Sequence, residues 1–215
     1  MTTTIDIGFL IYPGVTQLDA TGPAQILSRV PGARIHMAWK DTKPVDTDAG
    51  FSINPTISLD DCPDLDVICV PGGVGQLPLM GDQDVLAFLK RQGERANYVT
   101  SVCSGALLLG AAGLLRGYKS GCHWAFREML PTFGAIPVAE RIVKDRNRIS
   151  GGGVTAGIDF GLALAAELAD EDTAKEIQLF VEYDPVPPFD SGTPEKAGPE
   201  LEAKVRATFT GANGG

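Results

Sequence analysis

The sequence predicts an α/β fold in a single domain, with a largely parallel sheet flanked by helices. Three observations carry this. Apolar runs rich in β-branched residues alternate with stretches of helical pattern. A length of 215 residues with 44% hydrophobic content suits one well-packed core better than two. No internal repeat is present to suggest a solenoid or a propeller.

The elements follow in order. Residues 5–11, 34–39, 66–70 and 98–102 read as buried strands, and 141–143 and 148–150 flank Asp145-Arg146-Asn147 as a hairpin. Pro23 suits the first turn of a helix running through Leu27. Residues 82–94 start acidic and finish basic, as the helix dipole favours. Residues 155–168 carry an apolar face with Thr155 at the N-cap position. Pro185-Val186-Pro187-Pro188-Phe189 ends the core, so the expected division is a domain over 1–190 and a tail over 191–215. Within the tail, 200–209 reads as a short exposed helix before a frayed Gly-rich end.

Composition excludes several classes of function. Asp+Glu 27 against Lys+Arg 18 gives a net charge of -9, and no basic block offers a grip on phosphates, so nucleic acid is not an expected partner. The opening Met-Thr-Thr-Thr-Ile-Asp-Ile-Gly lacks a charged leader, and the most apolar run, 106–115, is too short and too glycine-broken to span a bilayer. A cytoplasmic protein without membrane contact is expected. Cys62, Cys69, Cys103 and Cys122 form no metal-ligand spacing, and His36 and His123 are the only histidines. Reduced thiols and no metal are expected.

Asn97-Tyr98-Val99-Thr100-Ser101-Val102-Cys103-Ser104-Gly105-Ala106 is a β-like run that ends in a cysteine and passes directly into a small-residue helix. A tight turn there lifts the Cys103 side chain clear of the sheet, and a helix start favours its thiolate. The alternative is a buried cysteine acting as a small hydrophobe. Three further segments end strands on the same side, where sites form in parallel sheets. Gln17-Leu18-Asp19-Ala20-Thr21-Gly22-Pro23 offers Asp19 as a helix N-cap or as a catalytic carboxylate. Val70-Pro71-Gly72-Gly73 is a tight turn whose N–H groups can cradle negative charge. The glycine-rich passage from Ser150 through Thr155 to Asp159 can close a pocket wall.

Together these segments resemble the DJ-1/PfpI superfamily and, within it, the isocyanide hydratases. The resemblance runs from Ile-Gly-Phe-Leu-Ile-Tyr-Pro near the start through Gln17-Leu18-Asp19, Thr21-Gly22-Pro23, the Pro71-Gly72-Gly73 turn, Ser101-Val102-Cys103, His123-Trp124 and Gly152 to Phe160. It implies a flavodoxin-like fold and hydration of a small-molecule isocyanide to the N-substituted formamide. It further implies Cys103 as nucleophile through a thioimidate, Asp19 as proton donor, and Ser104 as a hydrogen-bonding group. Gly72, Gly73, His123 and Thr155 are the expected substrate or oxyanion contacts. No cofactor is implied, and Asp19 is expected to hold its proton while Cys103 ionises, because two acids in contact do not easily both carry charge. Ser104 stands where isocyanide hydratases usually have threonine, and Gly121-Cys122 where they generally show two threonines. His123 has two readings, a Cys-His dyad with Cys103 or a ring that packs on Trp124 and caps local backbone. His36, Cys62, Cys69 and Cys122 are expected to be structural.

Two other functions compete. A glyoxalase or deglycase activity, which in this superfamily leans on glutamate and histidine, fits Asp19 less well. A redox or ligand sensor would use Cys103 without turnover, and ligand-sensing domains of AraC-type regulators also resemble the Leu-Asp-x-Thr-Gly-Pro segment. The resemblance, with the apolar Phe9, Tyr12 and Leu18 near the first strand's exit, points to a two-fold homodimer.

Overall fold

The computed structural model of the chain describes residues 4–211, and the Gly-rich end expected to fray lies outside the described residues. Contacts divide the chain into two compact units, one through Val181 and one from Glu182. In chain order the strands of the first unit are β1 Ile5–Leu10, β2 Ala33–Trp39, β3 Val45–Asp46, β4 Ser52–Ile53, β5 Ile57–Ser58, β6 Val67–Val70, β7 Tyr98–Val102, β8 Lys119–Ser120, β9 Ile136–Pro137, β10 Ile142–Asp145 and β11 Arg148–Gly151. Seven of them form one sheet in the order β10-β11-β7-β6-β1-β2-β5. Every pairing in that sheet is parallel except the β10–β11 hairpin at one edge, whose turn carries Arg146 at φ 55°. The short pairs β3–β4 and β8–β9 lie apart from it.

The sheet is buried on both faces because its strands alternate between two apolar layers. Leu10, Ile68 and Val70 face one cluster with Phe88, Leu89, Leu107 and Leu108. Ile7, Phe9, Val67 and Cys69 face the other with Ile26, Leu27, Phe160 and Leu164. Near-continuous apolar strands are what such two-sided burial requires. The helices of this unit are α1 Gln17–Leu27, α2 Gln76–Leu79, α3 Gln83–Gly93, α4 Gly105–Ala111, α5 Ala156–Leu168 and α6 Glu171–Phe180, with a 3-10 turn at Arg127–Phe133. α3 begins where the Asp82 carboxylate accepts the Asp84 and Val85 N–H groups, and it buries Val85, Phe88, Leu89 and Gln92 along one stripe. Among the described residues, no helix is long and apolar enough to cross a membrane. The unit from Glu182 carries α7 Pro194–Ala197 and α8 Pro199–Gly211.

Four expectations change. α1 starts at Gln17, so Pro23 lies inside the helix rather than in its first turn. The usual penalty for an interior proline is offset by packing, because α5 brings glycines to this face: a side chain at Gly157 would meet Pro23 Cδ at 3.2 Å, and one at Gly161 would meet Ile26 Cβ at 3.1 Å. Asp19 is therefore the third helical residue, and Thr16 occupies the cap position. At α5 Thr155 occupies the cap position but its side chain makes no cap hydrogen bond. α6 is not anticipated, because among its residues only Ala174 and Ile177 are buried and its apolar stripe is thin. Finally, Phe9 and Tyr12 are fully buried core residues and cannot form an exposed apolar patch at the first strand's exit.

Candidate active site

The site lies at the carboxyl ends of β1, β6, β7 and β11. Cys103 follows β7 with φ 59°, in the left-handed region that a non-glycine residue enters only when its surroundings impose it. Two contacts impose it here. The Cys103 N–H donates to Gly151 O at 3.0 Å, continuing the β7–β11 ladder. Gly105 sits so tightly on the end of β6 that an added Cβ would lie 2.0 Å from Val70 O. The elbow thus holds the thiol at the head of α4 while leaving the residue only 6% exposed.

Asp19 comes from the first turn of α1 and is fully buried. Its Oδ2 accepts the Gly72 N–H at 2.8 Å, and the Cys103 thiol approaches the same carboxyl. Gly72 must be a glycine, because a Cβ there would stand 2.6 Å from Ser104 Oγ and 3.0 Å from Asp19 Oδ2. Gly73, at φ 141°, turns its N–H toward Ser104 Oγ at 3.4 Å, and the Thr16 N–H donates to Gly72 O at 2.9 Å. The structure therefore brings Asp19, Gly72, Gly73, Cys103 and Ser104 together. The two glycine N–H groups expected to cradle a developing charge instead face Asp19 and Ser104.

Burial decides the electrostatics. It pushes the Asp19 carboxyl up from 3.8 to about 7, against the opposing effects of the Gly72 N–H and the Cys103 thiol. Asp48 adds a smaller upward push. Burial likewise raises the Cys103 thiol well above its ordinary value, and the Asp19 charge raises it further. The Ser104 N–H and hydroxyl act the other way, while Cys122 is close enough to add to the rise. The expectation that the helix start would ionise Cys103 is therefore corrected. α4 has only 7 residues, and desolvation outweighs the help from its first N–H groups. The raised carboxyl keeps Asp19 protonated to higher pH than an exposed aspartate.

His123 is half-buried, its ring lies tilted against Trp124 and Phe126 with centroids 5.4 and 5.9 Å away, and its Nδ1 accepts the Ala125 N–H at 3.3 Å. Burial lowers its pKa, so it is neutral at physiological pH. These contacts match the packing and capping reading. Thr155 is exposed, and Arg141 Nη2 reaches its carbonyl at 3.2 Å and its hydroxyl at 3.4 Å while also binding Asp159 Oδ2. Those bonds tie Thr155 to Arg141, just before β10, rather than to the Asp19–Cys103 pair. His36 binds Asp6 at 2.7 Å, as a structural residue would. Cys62, Cys69 and Cys122 are buried, with thiols pushed up to about 11, 12 and 12.

Three residues at the site were not singled out for it from the sequence. Cys122 lies within electrostatic reach of Cys103. Gln76, whose N–H donates to Gly73 O at 3.2 Å just past the turn, is buried, and among the described residues its Oε1 has no hydrogen-bond partner. Tyr12 is fully buried, and its hydroxyl donates to Pro71 O at 2.8 Å. Apart from the resemblance already drawn at Cys122, nothing in an apolar strand or a glycine-rich turn marks such residues.

A doubly covered parallel sheet with a cysteine elbow and a buried acid at its carboxyl edge defines the class, and residues 6–167 match the model of the DJ-1/PfpI family. The chain belongs to that family. It is 53% identical over 205 residues to isonitrile hydratase of Pseudomonas putida, in an alignment covering 94% of this chain and 90% of that protein. It is similar in structure to a ThiJ/PfpI family protein from Pseudomonas syringae, with a TM-score of 0.91 and 48% identity over 97% of this chain and 85% of that one. It is also 30% identical, over 81% of its length, to the HTH-type transcriptional regulator GbdR of Pseudomonas aeruginosa, of which it spans 50%.

Proposed function

We propose that this protein is an isocyanide hydratase, converting R–N≡C and water to the N-substituted formamide by the chemistry of Cys103 and Asp19 alone. The observation that carries the reading is the buried carboxyl of Asp19 set against the Cys103 thiol at a left-handed elbow. The likeness to an isonitrile hydratase supplies the substrate class.

Once the pair has lost one of its two protons, the thiol–carboxylate and thiolate–acid forms interconvert by a single proton transfer. In the second form Cys103 Sγ attacks the terminal isocyanide carbon while Asp19 delivers its proton to that carbon. An S–C bond forms, the C≡N bond becomes C=N, and the product is the thioimidate R–N=CH–S–Cys103. Asp19, now a carboxylate, takes a proton from water as the water oxygen adds to the same carbon, and that proton passes to the nitrogen. Collapse of the adduct breaks the C–S bond, its hydroxyl proton returns to the acid–thiol pair, and R–NH–CHO leaves. Ser104, through its N–H and hydroxyl, stabilises sulfur as it gains and regains negative charge.

The reading extends to a cytoplasmic homodimer with no nucleic-acid partner. The net charge of -9 supports the last point, and the exposed apolar Val74 and Leu77 beside the glycine turn favour a covered surface there. Sedimentation at micromolar concentration should give a dimer. The activity is tested by supplying purified protein with a simple alkyl or aryl isocyanide and following formamide, with methylglyoxal in parallel. Formamide is expected. Consumption of methylglyoxal with no formamide would replace this reading by a glyoxalase-like one, and turnover of neither would favour a ligand sensor.

A further inference from the structure

The Pro71–Gly72 peptide is gripped at both ends. Its N–H is the group that Asp19 Oδ2 accepts, at 2.8 Å, and its carbonyl oxygen accepts the Tyr12 hydroxyl, also at 2.8 Å. Tyr12, Pro71, Gly72 and Asp19 therefore form one unbranched chain, O–H to O=C, then N–H to carboxylate, with Tyr12 and Asp19 both fully buried. Hydrogen bonds arranged in series polarise one another, so donation to the carbonyl strengthens donation by the N–H on the same peptide. The linkage also fixes the peptide plane, which Gly72, lacking a side chain, would otherwise leave free to rotate.

From this geometry we propose that Tyr12 is a positioning residue of the site, acting through the Pro71–Gly72 peptide to orient the Asp19 carboxyl and favour its ionised form. The proposal rests on the reading of Asp19 and Cys103 as an acid–nucleophile pair. Tyr12 touches no reacting atom. It stays a donor throughout the working range, because burial raises its phenol well above its ordinary value. The other ionisable groups acting on Asp19 or acted on by it are Cys103 at the elbow, Asp48 beyond β3 and Cys69 on β6. Tyr12 lies within electrostatic reach of Asp19, Cys103 and Asp48, and as a neutral phenol it adds no charge to the site.

Tyr12→Phe keeps the ring and removes only the O–H. The Gly72 N–H then donates less well, and the Asp19 carboxyl should titrate at higher pH, by about half a unit. Incorporating 3-fluorotyrosine at this position makes a stronger donor and should move the titration to lower pH. The direct measurement is carbon-13 NMR of carboxyl-labelled aspartate through neutral pH, with the Asp19 signal assigned by its loss in Asp19→Asn. This readout needs no substrate, so it stands even if isocyanide turnover fails. Where turnover is seen, the ascending limb of kcat/KM should shift with the carboxyl. Opposite shifts in the two Tyr12 variants support the proposal. An Asp19 signal that titrates alike in wild type and in both variants, or in 3-fluorotyrosine protein alone should the Phe variant not fold, would overturn it and leave Tyr12 a packing residue.

Discussion

Cys69 within β6 and Cys103 just past the end of neighbouring β7 are buried in the same apolar layer, and both thiols are raised by burial. Cys69 is pushed up to about 12, and Cys103 also rises well above its ordinary value. Depth alone therefore does not separate an inert cysteine from a reactive one. The backbone and the neighbours do. Cys69 lies in regular β6, paired with Thr100 of β7, and its thiol faces the Thr100 side chain. Cys103 leaves its strand through a left-handed residue and meets a carboxyl with a raised pKa on one side and the Ser104 N–H on the other. A thiol that is hard to ionise becomes a usable nucleophile when its proton has a nearby acceptor, so that no net charge must be created in the buried site.

The strongest way to break this comparison is to exchange the roles of the two cysteines by mutation. Cys103→Ala should reduce isocyanide turnover to background without unfolding the protein, at a cost of about 1 kcal/mol for removing one buried sulfur atom. Cys69→Ala should leave kcat/KM close to wild type and lower stability by about 1 kcal/mol, the cost of truncating a packed side chain. Comparable turnover in the two variants would show that the elbow does not confer reactivity.

Asp19→Asn comes next. Asparagine can still accept the Gly72 N–H but carries no transferable proton, so turnover should fall by about 10²- to 10⁴-fold while the fold persists. The wild-type kcat/KM should rise with pH through about 7 as the pair sheds its first proton, and Asp19 should leave a matching mark on stability. A carboxyl whose folded value is raised from 3.8 to about 7 binds its proton more tightly in the folded state. Its contribution is thus lost as pH climbs through that window and levels off above it. Melting curves should show wild type losing stability relative to Asp19→Asn between those values. A pH-independent gap would contradict the raised carboxyl.

A smaller effect is expected at Ser104. Its N–H survives any side-chain change, so Ser104→Ala removes only the hydroxyl, worth about one hydrogen bond or a tenfold loss in kcat/KM. Ser104→Thr keeps the hydroxyl and should be tolerated. A loss in Ser104→Ala as deep as in Cys103→Ala would mean that the hydroxyl, not Asp19, is the partner that matters to sulfur.

Much of this arrangement is legible in the sequence because it is written in local patterns. The alternation of buried strands and helices follows from apolar runs, and the elbow is visible as a strand that ends in Cys103 and enters Ser104-Gly105-Ala106. What escapes is set by tertiary packing. The start of α1 cannot be placed from Pro23, because the glycines that accommodate an interior proline lie on α5, more than 130 residues away. The same shift removes Asp19 from the cap position and turns it into a site residue, so its two sequence-level readings diverge only in three dimensions. The state of Cys103 is a further case. A helix start argues for thiolate, but the burial that outweighs it is set by tertiary packing. Tyr12 illustrates the limit most clearly, since its hydroxyl meets Pro71, 59 positions further on.

The smallest predicted effect lies at His123 and sharpens the contrast between a proton partner and a packed ring. If His123 shared the proton traffic of Cys103, removing it should cost about 10²-fold or more in kcat/KM. Its observed contacts instead put the ring against Trp124 and Phe126 and its Nδ1 on the Ala125 N–H, and burial holds it neutral. His123→Asn preserves that local bond, since an asparagine side-chain oxygen readily accepts the N–H two residues on. It loses the aromatic packing, which is worth about 0.5–1.5 kcal/mol. Turnover in His123→Asn should therefore stay within about threefold of wild type, while Tm falls slightly. Parallel kinetics and melting on this one variant decide the matter: a deep kinetic loss with an unchanged melting temperature would make His123 a third member of the reacting group, and the reverse pattern leaves Asp19 as the sole proton partner of Cys103.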